Sequence, residues 1–168
     1  PARVAAGAVA QERGESSEEV IDVYRLAART VGYVSITRVA VPTRVKAEGG
    51  AKVVGKSTVD GIGYLLGGSA MFVAEEVKSL YDGGCLSLRR VKKHQRDFLD
   101  RVYRDGGIAV LTIVRHSGVS VVPWALVRGN TRVTEEQIDA HRVTPHTYGR
   151  AIRDAINCRW FERDLDTT

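Results

Sequence analysis

Residues 57–78 read STVDGIGYLLGGSAMFVAEEVK, and this stretch decides the fold. It contains two apolar runs, residues 59–66 and 70–78, separated by Gly67-Gly68-Ser69. A short glycine-containing connection between two apolar runs is typical of a β-hairpin. The stretch therefore predicts two neighbouring antiparallel strands, both buried inside a sheet.

The hairpin predicts which acidic side chains meet. If the turn is symmetric about Gly68, counting back along each strand sets Asp60 opposite Glu76, with Cβ atoms about 4.5–5.5 Å apart. Side chains alternate between the two faces of a strand, so Glu76 and Lys78 share one face while Glu75 points to the other. The pattern therefore predicts a cluster of Asp60, Glu76 and Lys78.

Such a cluster favours metal-dependent hydrolysis. Two carboxylates side by side on buried strands repel each other unless a cation neutralises them or one of them takes up a proton. Ligation by oxygen alone favours Mg²⁺, with Mn²⁺ as a substitute, over zinc. A lysine beside the acids can orient a water and stabilise the charge that develops on a phosphate. The alternative interpretation is a structural salt bridge within the sheet.

The elements before and after the hairpin predict an α/β domain. Ser16 and Glu19 form a capping-box pattern ahead of an amphipathic helix that Gly32 ends. Residues 33–41 are rich in β-branched side chains and predict a strand. Later on, Ser87 is the expected cap of a second helix.

The rest of the chain continues this alternation of helices and strands. A second hairpin is expected over residues 108–122, and weaker patterns predict short helices after Thr134 and over residues 148–156. Together these elements predict one α/β domain with a central mixed β-sheet flanked by helices. Its core would span about residues 13–125, followed by a C-terminal accessory segment over about residues 126–168.

Basic residues are concentrated in two segments: the first is a Gly-rich loop over residues 42–56, and the second covers residues 89–96. The net charge of +5, from 25 basic and 20 acidic residues, favours a polyanionic partner. Either segment alone can be a solvated surface, but the two bracket the acidic pair and together favour nucleic acid. The residues expected to contact DNA are Arg44, Lys46, Lys52, Lys56, Arg89, Arg90, Lys92, Lys93 and His94.

Other features of the sequence exclude several classes of protein. No apolar stretch reaches the length of about 18 residues that a membrane helix needs, and no secretion signal is recognisable, so we expect an intracellular, cytoplasmic protein without membrane contact. Cys85 and Cys158 have no metal-binding spacing and are expected to be reduced structural residues.

Four motifs resemble those of the PD-(D/E)XK nuclease superfamily, and more narrowly those of Holliday junction resolvases of the RecU and archaeal Hjc type. They are Gly-x-x-x-Glu at residues 14–18, Ser-Thr-x-Asp-x-x-Gly at 57–63, Glu-x-Lys at 76–78 and the pair His94-Gln95. The similarity spans roughly residues 13–115. The chain departs from the pattern in a shorter segment before Asp60, and the region after Trp124 matches neither subgroup.

The resemblance implies roles for individual residues. Asp60 and Glu76 would ligate the metal, Glu18 would support them from the first helix, and Lys78 would be the catalytic lysine. Thr58 would lie at the edge of the site. Gln95 falls on the inward stripe of the second helix and needs a buried partner. We expect it to lie above the active site as a catalytic residue; the alternative is that it caps a buried carbonyl.

The resemblance also implies an activity and an assembly. We expect a single nuclease domain of the restriction-endonuclease-like fold that uses Mg²⁺ to cut four-way DNA junctions with paired symmetric nicks, and that works as a homodimer. One alternative is a nuclease of the same fold that acts on duplex or flap DNA in restriction or repair. Another is a non-catalytic DNA-binding protein of recombination.

Overall fold

The structure is a computed structural model that describes residues 17–40, 43–45, 51–53, 58–68 and 70–159. The strands are β1 (Val34–Arg38), β2 (Thr43–Val45), β3 (Ala51–Val53), β4 (Gly61–Leu65), β5 (Phe72–Ser79), β6 (Leu86–Ser87), β7 (Ile108–Arg115), β8 (Gly118–Pro123), β9 (Arg132–Val133) and β10 (Arg142–Val143). The helices are α1 (residues 17–30), α2 (Lys93–Arg104), α3 (Glu135–Ala140) and α4 (Pro145–Asp154).

Six of these strands form one mixed sheet in the order β1-β4-β5-β7-β8-β10. β5 and β7 run parallel, and every other neighbouring pair is antiparallel. The parallel pair is joined by the crossover that contains α2, as parallel strands require. The predicted class, a mixed sheet flanked by helices, is confirmed.

The predicted hairpin is present in the predicted register. Gly61 pairs with Glu75 and Tyr64 with Phe72, which is the register that sets residue 60 against residue 76. The strands are shorter at the turn than the apolar runs suggest, since β4 ends at Leu65 and β5 begins at Phe72. The second hairpin, β7–β8, is likewise antiparallel; its turn is His116-Ser117, because Arg115 pairs with Gly118.

Helices cover both faces of the sheet. On one face, called the α1 face, Ile21 of α1 and Tyr148 of α4 pack with Val73 and Val110 of the sheet. On the opposite face, called the α2 face, Leu99 of α2 packs with Leu111 and Trp124. The odd-numbered residues of β5 therefore face α1 and α4, while the even-numbered ones face α2.

β1 and β4 approach each other closely at Gly63. A Cβ atom built on Gly63 would lie 1.8 Å from the carbonyl oxygen of Ser35 and 2.8 Å from the Cα of Ile36. Both of these are backbone atoms, which cannot move aside as the end of a flexible side chain can. No residue other than glycine fits at position 63 while the two strands are paired.

The predicted start of the second helix is wrong. Ser87 is not a helix cap but part of β6, where it pairs with Arg132. A 3-10 turn over Leu88–Arg90 follows, and α2 begins only at Lys93. The reason is burial: Leu88 and Val91 enter the core, so the chain turns inward before the helix can start.

The C-terminal segment that follows residue 125 packs as part of the domain. Thr134 caps α3 as predicted, and its Oγ1 accepts the backbone N–H of Gln137 at 3.2 Å. α4 starts at Pro145 rather than near Tyr148, because Thr144 caps it and proline is well suited to the first turn. β10 is the last strand of the main sheet.

The segment predicted to be a loop over residues 42–56 contains paired strands. β2 and β3 form a two-stranded antiparallel sheet in which Arg44 pairs with Lys52. Lys46 and Lys56 lie outside the described residues. Within the described ranges, no helix is long and apolar enough to cross a membrane.

Candidate active site

Asp60 lies where β4 and β5 separate. Regular pairing ends at Gly61 and Glu75. Beyond that point the backbone N–H of Asp60 donates to the carbonyl of Glu75 at 3.1 Å, and its carboxylate oxygen Oδ2 accepts the N–H of Val77 at 2.8 Å. The carboxylate thus replaces a backbone carbonyl as the acceptor, which fixes it against β5.

Glu76 follows on β5 and is fully buried. Its Oε1 accepts a hydrogen bond from Lys78 Nζ, whereas Oε2 is buried and has no hydrogen-bond partner in the described part of the chain. Burial and the nearby negative charge of Asp60 raise the pKa of Glu76 to about 8, although the ammonium of Lys78 opposes this shift. The group is costly to ionise here without a further positive charge.

Lys78 lies on the same face, two residues along β5, with 16% of its side chain exposed. It pairs with Glu76, and its Nζ also donates to the carbonyl of Val77 at 3.2 Å. The ammonium is therefore held beside the acidic pair with part of its surface open. The predicted cluster of Asp60, Glu76 and Lys78 is brought together by the fold.

Glu18 approaches from α1. It lines a cavity of about 320 Å³ that Asp60, Arg25 and Arg38 also line. Its carboxylate forms an ion pair with Arg38 at the end of β1, and 47% of its side chain is exposed. Glu18 is near Asp60 but engaged with another partner, so its role as a metal ligand stays a prediction.

The donor set fits a divalent cation in two respects. The buried Oε2 of Glu76 needs a positive partner, and carboxylate oxygens are the donors that Mg²⁺ and Mn²⁺ prefer. Among the described residues, no three His, Cys, Asp or Glu side chains are already gathered as a metal-binding group. Glu18 would join such a group only by exchanging Arg38 for the ion.

The structure also places the other residues expected at the site. Gln95 is buried, and its Oε1 accepts the backbone N–H of Lys92 at 2.9 Å. This contact caps the start of α2 through a backbone N–H rather than a carbonyl, and a catalytic role for Gln95 stays a prediction. Thr58 is exposed next to Asp60, and His94 is half-buried on α2.

The second basic segment starts beside the strand that carries the site. Arg90 donates from Nη2 to the carbonyl of Ser79, the last residue of β5, at 2.7 Å. Arg89 and Lys92 are exposed, and Lys93 is exposed and forms an ion pair with Asp97 at 2.7 Å. Arg90 therefore lies at the end of β5 that carries Lys78.

A buried polar network behind the site was missed in the sequence. On the α1 face, Glu75 is fully buried and contacts Arg25, Thr112 and Tyr148. A signal was available, because Arg25 interrupts the inward stripe of α1 between Ile21 and Ala28. An arginine at a core position requires a buried acid.

The fold thus places Asp60, Glu76 and Lys78 together on adjacent strands of a mixed sheet. Among solved structures, the chain is similar to Hjc of Archaeoglobus fulgidus, a Holliday junction resolvase from an archaeal hyperthermophile. The two are 14% identical, with a TM-score of 0.49 over 80% of this chain and 96% of that one. No family model and no curated protein matches the chain.

Proposed function

We propose that this protein is a Mg²⁺-dependent endonuclease that cuts four-way DNA junctions. The observation that carries the proposal is Glu76: a fully buried carboxyl with one oxygen lacking a partner, next to Asp60 and Lys78. A purely structural ion pair would satisfy both oxygens of the buried acid. A site that binds a cation leaves one oxygen for it.

In this proposal Asp60 and Glu76 hold the cation, with Glu18 as a further ligand. When bound, Mg²⁺ supplies a Lewis acid and a template for phosphodiester hydrolysis. The ammonium of Lys78 orients the attacking water and stabilises negative charge on the phosphate. The contact between Asp60 and Val77 keeps the acidic pair in place while DNA binds.

In this proposal the two basic segments bind the phosphate backbone of the DNA. Arg89, Arg90, Lys92 and Lys93 contact phosphates at the end of β5, and the β2–β3 hairpin contacts them near the end of β1. Phosphate contacts position a nucleic acid without reading its sequence, which suits an enzyme selective for branched structure. A homodimer presents two equal sites to the two opposed strands of a junction.

The proposal predicts that Asp60→Asn and Glu76→Gln abolish cleavage and leave junction binding largely intact, because the basic residues remain. The assay compares a four-way junction with a linear duplex of matching sequence, each incubated with Mg²⁺. Glu136→Gln, which neutralises an exposed acid on α3, is the matched control and should cleave normally.

Three results would count against the proposal in different ways. Full activity of either site variant at saturating Mg²⁺ contradicts the assignment of the active site. Preferred cutting of the linear duplex by the unmodified protein favours a restriction or repair nuclease of the same fold. Binding without cleavage of any substrate favours a non-catalytic recombination protein.

A further inference from the structure

Glu75 is the centre of a buried network that joins three elements to β5. Its Oε2 accepts from Arg25 Nε at 3.0 Å and from Arg25 Nη2 at 2.8 Å. Its Oε1 accepts from Thr112 Oγ1 at 2.5 Å and from the hydroxyl of Tyr148. The carboxylate therefore has four hydrogen bonds, from α1, β7 and α4, and both of its oxygens are satisfied.

Arg25 belongs both to this network and to the cavity that Asp60 lines. Only 7% of its side chain is exposed, and it lines the cavity together with Glu18 and Asp60. A Cβ atom built on Gly61, the residue after Asp60, would lie 2.6 Å from Arg25 Nη2. The guanidinium is thus packed against the backbone that carries Asp60.

Two arginines, Arg25 and Arg38, line the cavity and are possible competitors of a metal ion for the acidic side chains there. Arg38 pairs with Glu18. Arg25 is held on Glu75 by two hydrogen bonds, with Asp22 as its second acidic partner at 3.1 Å. Within the described part of the chain, Asp60 makes no ion pair; its carboxylate accepts from the N–H of Val77 and lies against the carboxyl of Glu76.

We propose that Glu75 is a positioning residue that holds the guanidinium of Arg25 away from Asp60 and so leaves Asp60 to ligate a divalent cation. This inference rests on the proposed function, since it assumes that Asp60 binds the ion. Removing the charge of Glu75 frees a buried arginine beside an acid that can neutralise it. The cation must then displace Arg25 before it binds.

The test measures binding of Mn²⁺ to the 168-residue chain by electron paramagnetic resonance, in the absence of DNA. Glu75→Gln should raise the Mn²⁺ dissociation constant about tenfold, the order expected for one unit charge added close to a partly buried site. The double variant Arg25→Met with Glu75→Gln removes both charges and should restore the original affinity. Thr112→Val removes a hydrogen bond to Glu75 without changing charge and should leave the affinity unchanged.

If Glu75→Gln does not fold, Arg25→Lys replaces it. Lysine keeps the charge but loses the two-pronged contact with Glu75, so it too should raise the Mn²⁺ dissociation constant. Unchanged affinity in the folded charge variants overturns the positioning role alone. Absence of Mn²⁺ binding by the unmodified protein overturns the proposed function, and the positioning role with it.

Discussion

Glu75 and Glu76 are neighbours in sequence and both fully buried, yet their surroundings are opposite. Glu75 faces α1 and α4 and has four hydrogen bonds, two of them from a guanidinium. Glu76 faces the other way, toward Lys78, and one of its oxygens has no partner among the described residues. Glu75 therefore stabilises the fold, whereas the burial of Glu76 destabilises it.

The raised pKa of Glu76 sets the sign of a pH effect on stability. Below its ordinary value of 4.5 the group is protonated in both the folded and unfolded states. Between 4.5 and about 8 the unfolded chain loses the proton while the folded protein keeps it, so stability falls as pH rises through this window. Glu76→Gln removes this cost.

Glu76→Gln should therefore raise the melting temperature of the metal-free protein at pH 8 by roughly 5 °C and change it little at pH 5. The increase in melting temperature is limited because Lys78 loses its charged partner. The measurement is thermal unfolding in a chelating buffer at both pH values. A lower melting temperature of the variant at pH 8 would mean that burial of Glu76 does not destabilise the metal-free protein.

Glu75→Gln should have the opposite effect on stability. It leaves Arg25 buried beside a neutral group, and breaking a buried pair costs about 3–5 kcal/mol. Chemical unfolding at neutral pH measures the loss, with Glu136→Gln as the exposed control. Cleavage at saturating Mg²⁺ should survive in Glu75→Gln and be absent in Glu76→Gln; equal loss of cleavage would place Glu75 in the site.

At the scale of elements, the sequence predicted the hairpins better than the helix starts. The β4–β5 register followed from the two-residue period and the glycine turn, which together allow few alternatives. The start of α2 was wrong because Ser87 is a good cap by composition but is already paired with Arg132 of β9. Such long-range pairing has no local signal.

The β2–β3 hairpin carries a prediction about DNA affinity. Its ladder pairs Arg44 with Lys52, two of the basic residues expected to contact DNA. Replacing both with alanine should weaken junction binding and reduce the slope of log affinity against log salt by up to about two units. Single-turnover cleavage of the saturated complex should change far less.

The control for this experiment is Arg153→Ala, an exposed basic residue of α4 outside both basic segments. Its junction affinity and salt slope should match those of the unmodified protein. If the double variant of Arg44 and Lys52 also keeps the junction affinity and salt slope of the unmodified protein, the hairpin does not contact DNA. The second basic segment must then account for binding.

At the scale of the whole molecule, the expected accessory segment contributes to the centre of the fold. β10 completes the sheet, and α4 brings Tyr148 to Glu75. The sequence predicted the start of α3 because its cap, Thr134, is a local signal, and it predicted a helix at α4 without its Thr144 cap. It did not predict where these helices pack. The same limit explains why the buried network around Glu75 was missed. The alternation of side chains predicted that Glu75 points away from the site, but it did not predict which residues cover that face.

Paired cutting of a junction predicts a two-fold symmetric dimer in solution. Large apolar side chains remain exposed on the surface available for such an interface, among them Leu26, Tyr64 and Phe72. Multi-angle light scattering at the assay concentration measures the mass, with the chain mass of 18.4 kDa as the reference. A monomer that still makes paired cuts would contradict this prediction.

The close approach of β1 and β4 affects how a mutational scan of this protein would be interpreted. Gly63 is the final glycine of the motif that contains Asp60, and any larger residue would collide with the backbone of Ser35. A screen that selects only for active clones would mark positions 60 and 63 as equally intolerant. A screen that also records cellular abundance would separate them, because substitutions at 63 remove the folded protein while Asp60→Asn leaves it intact.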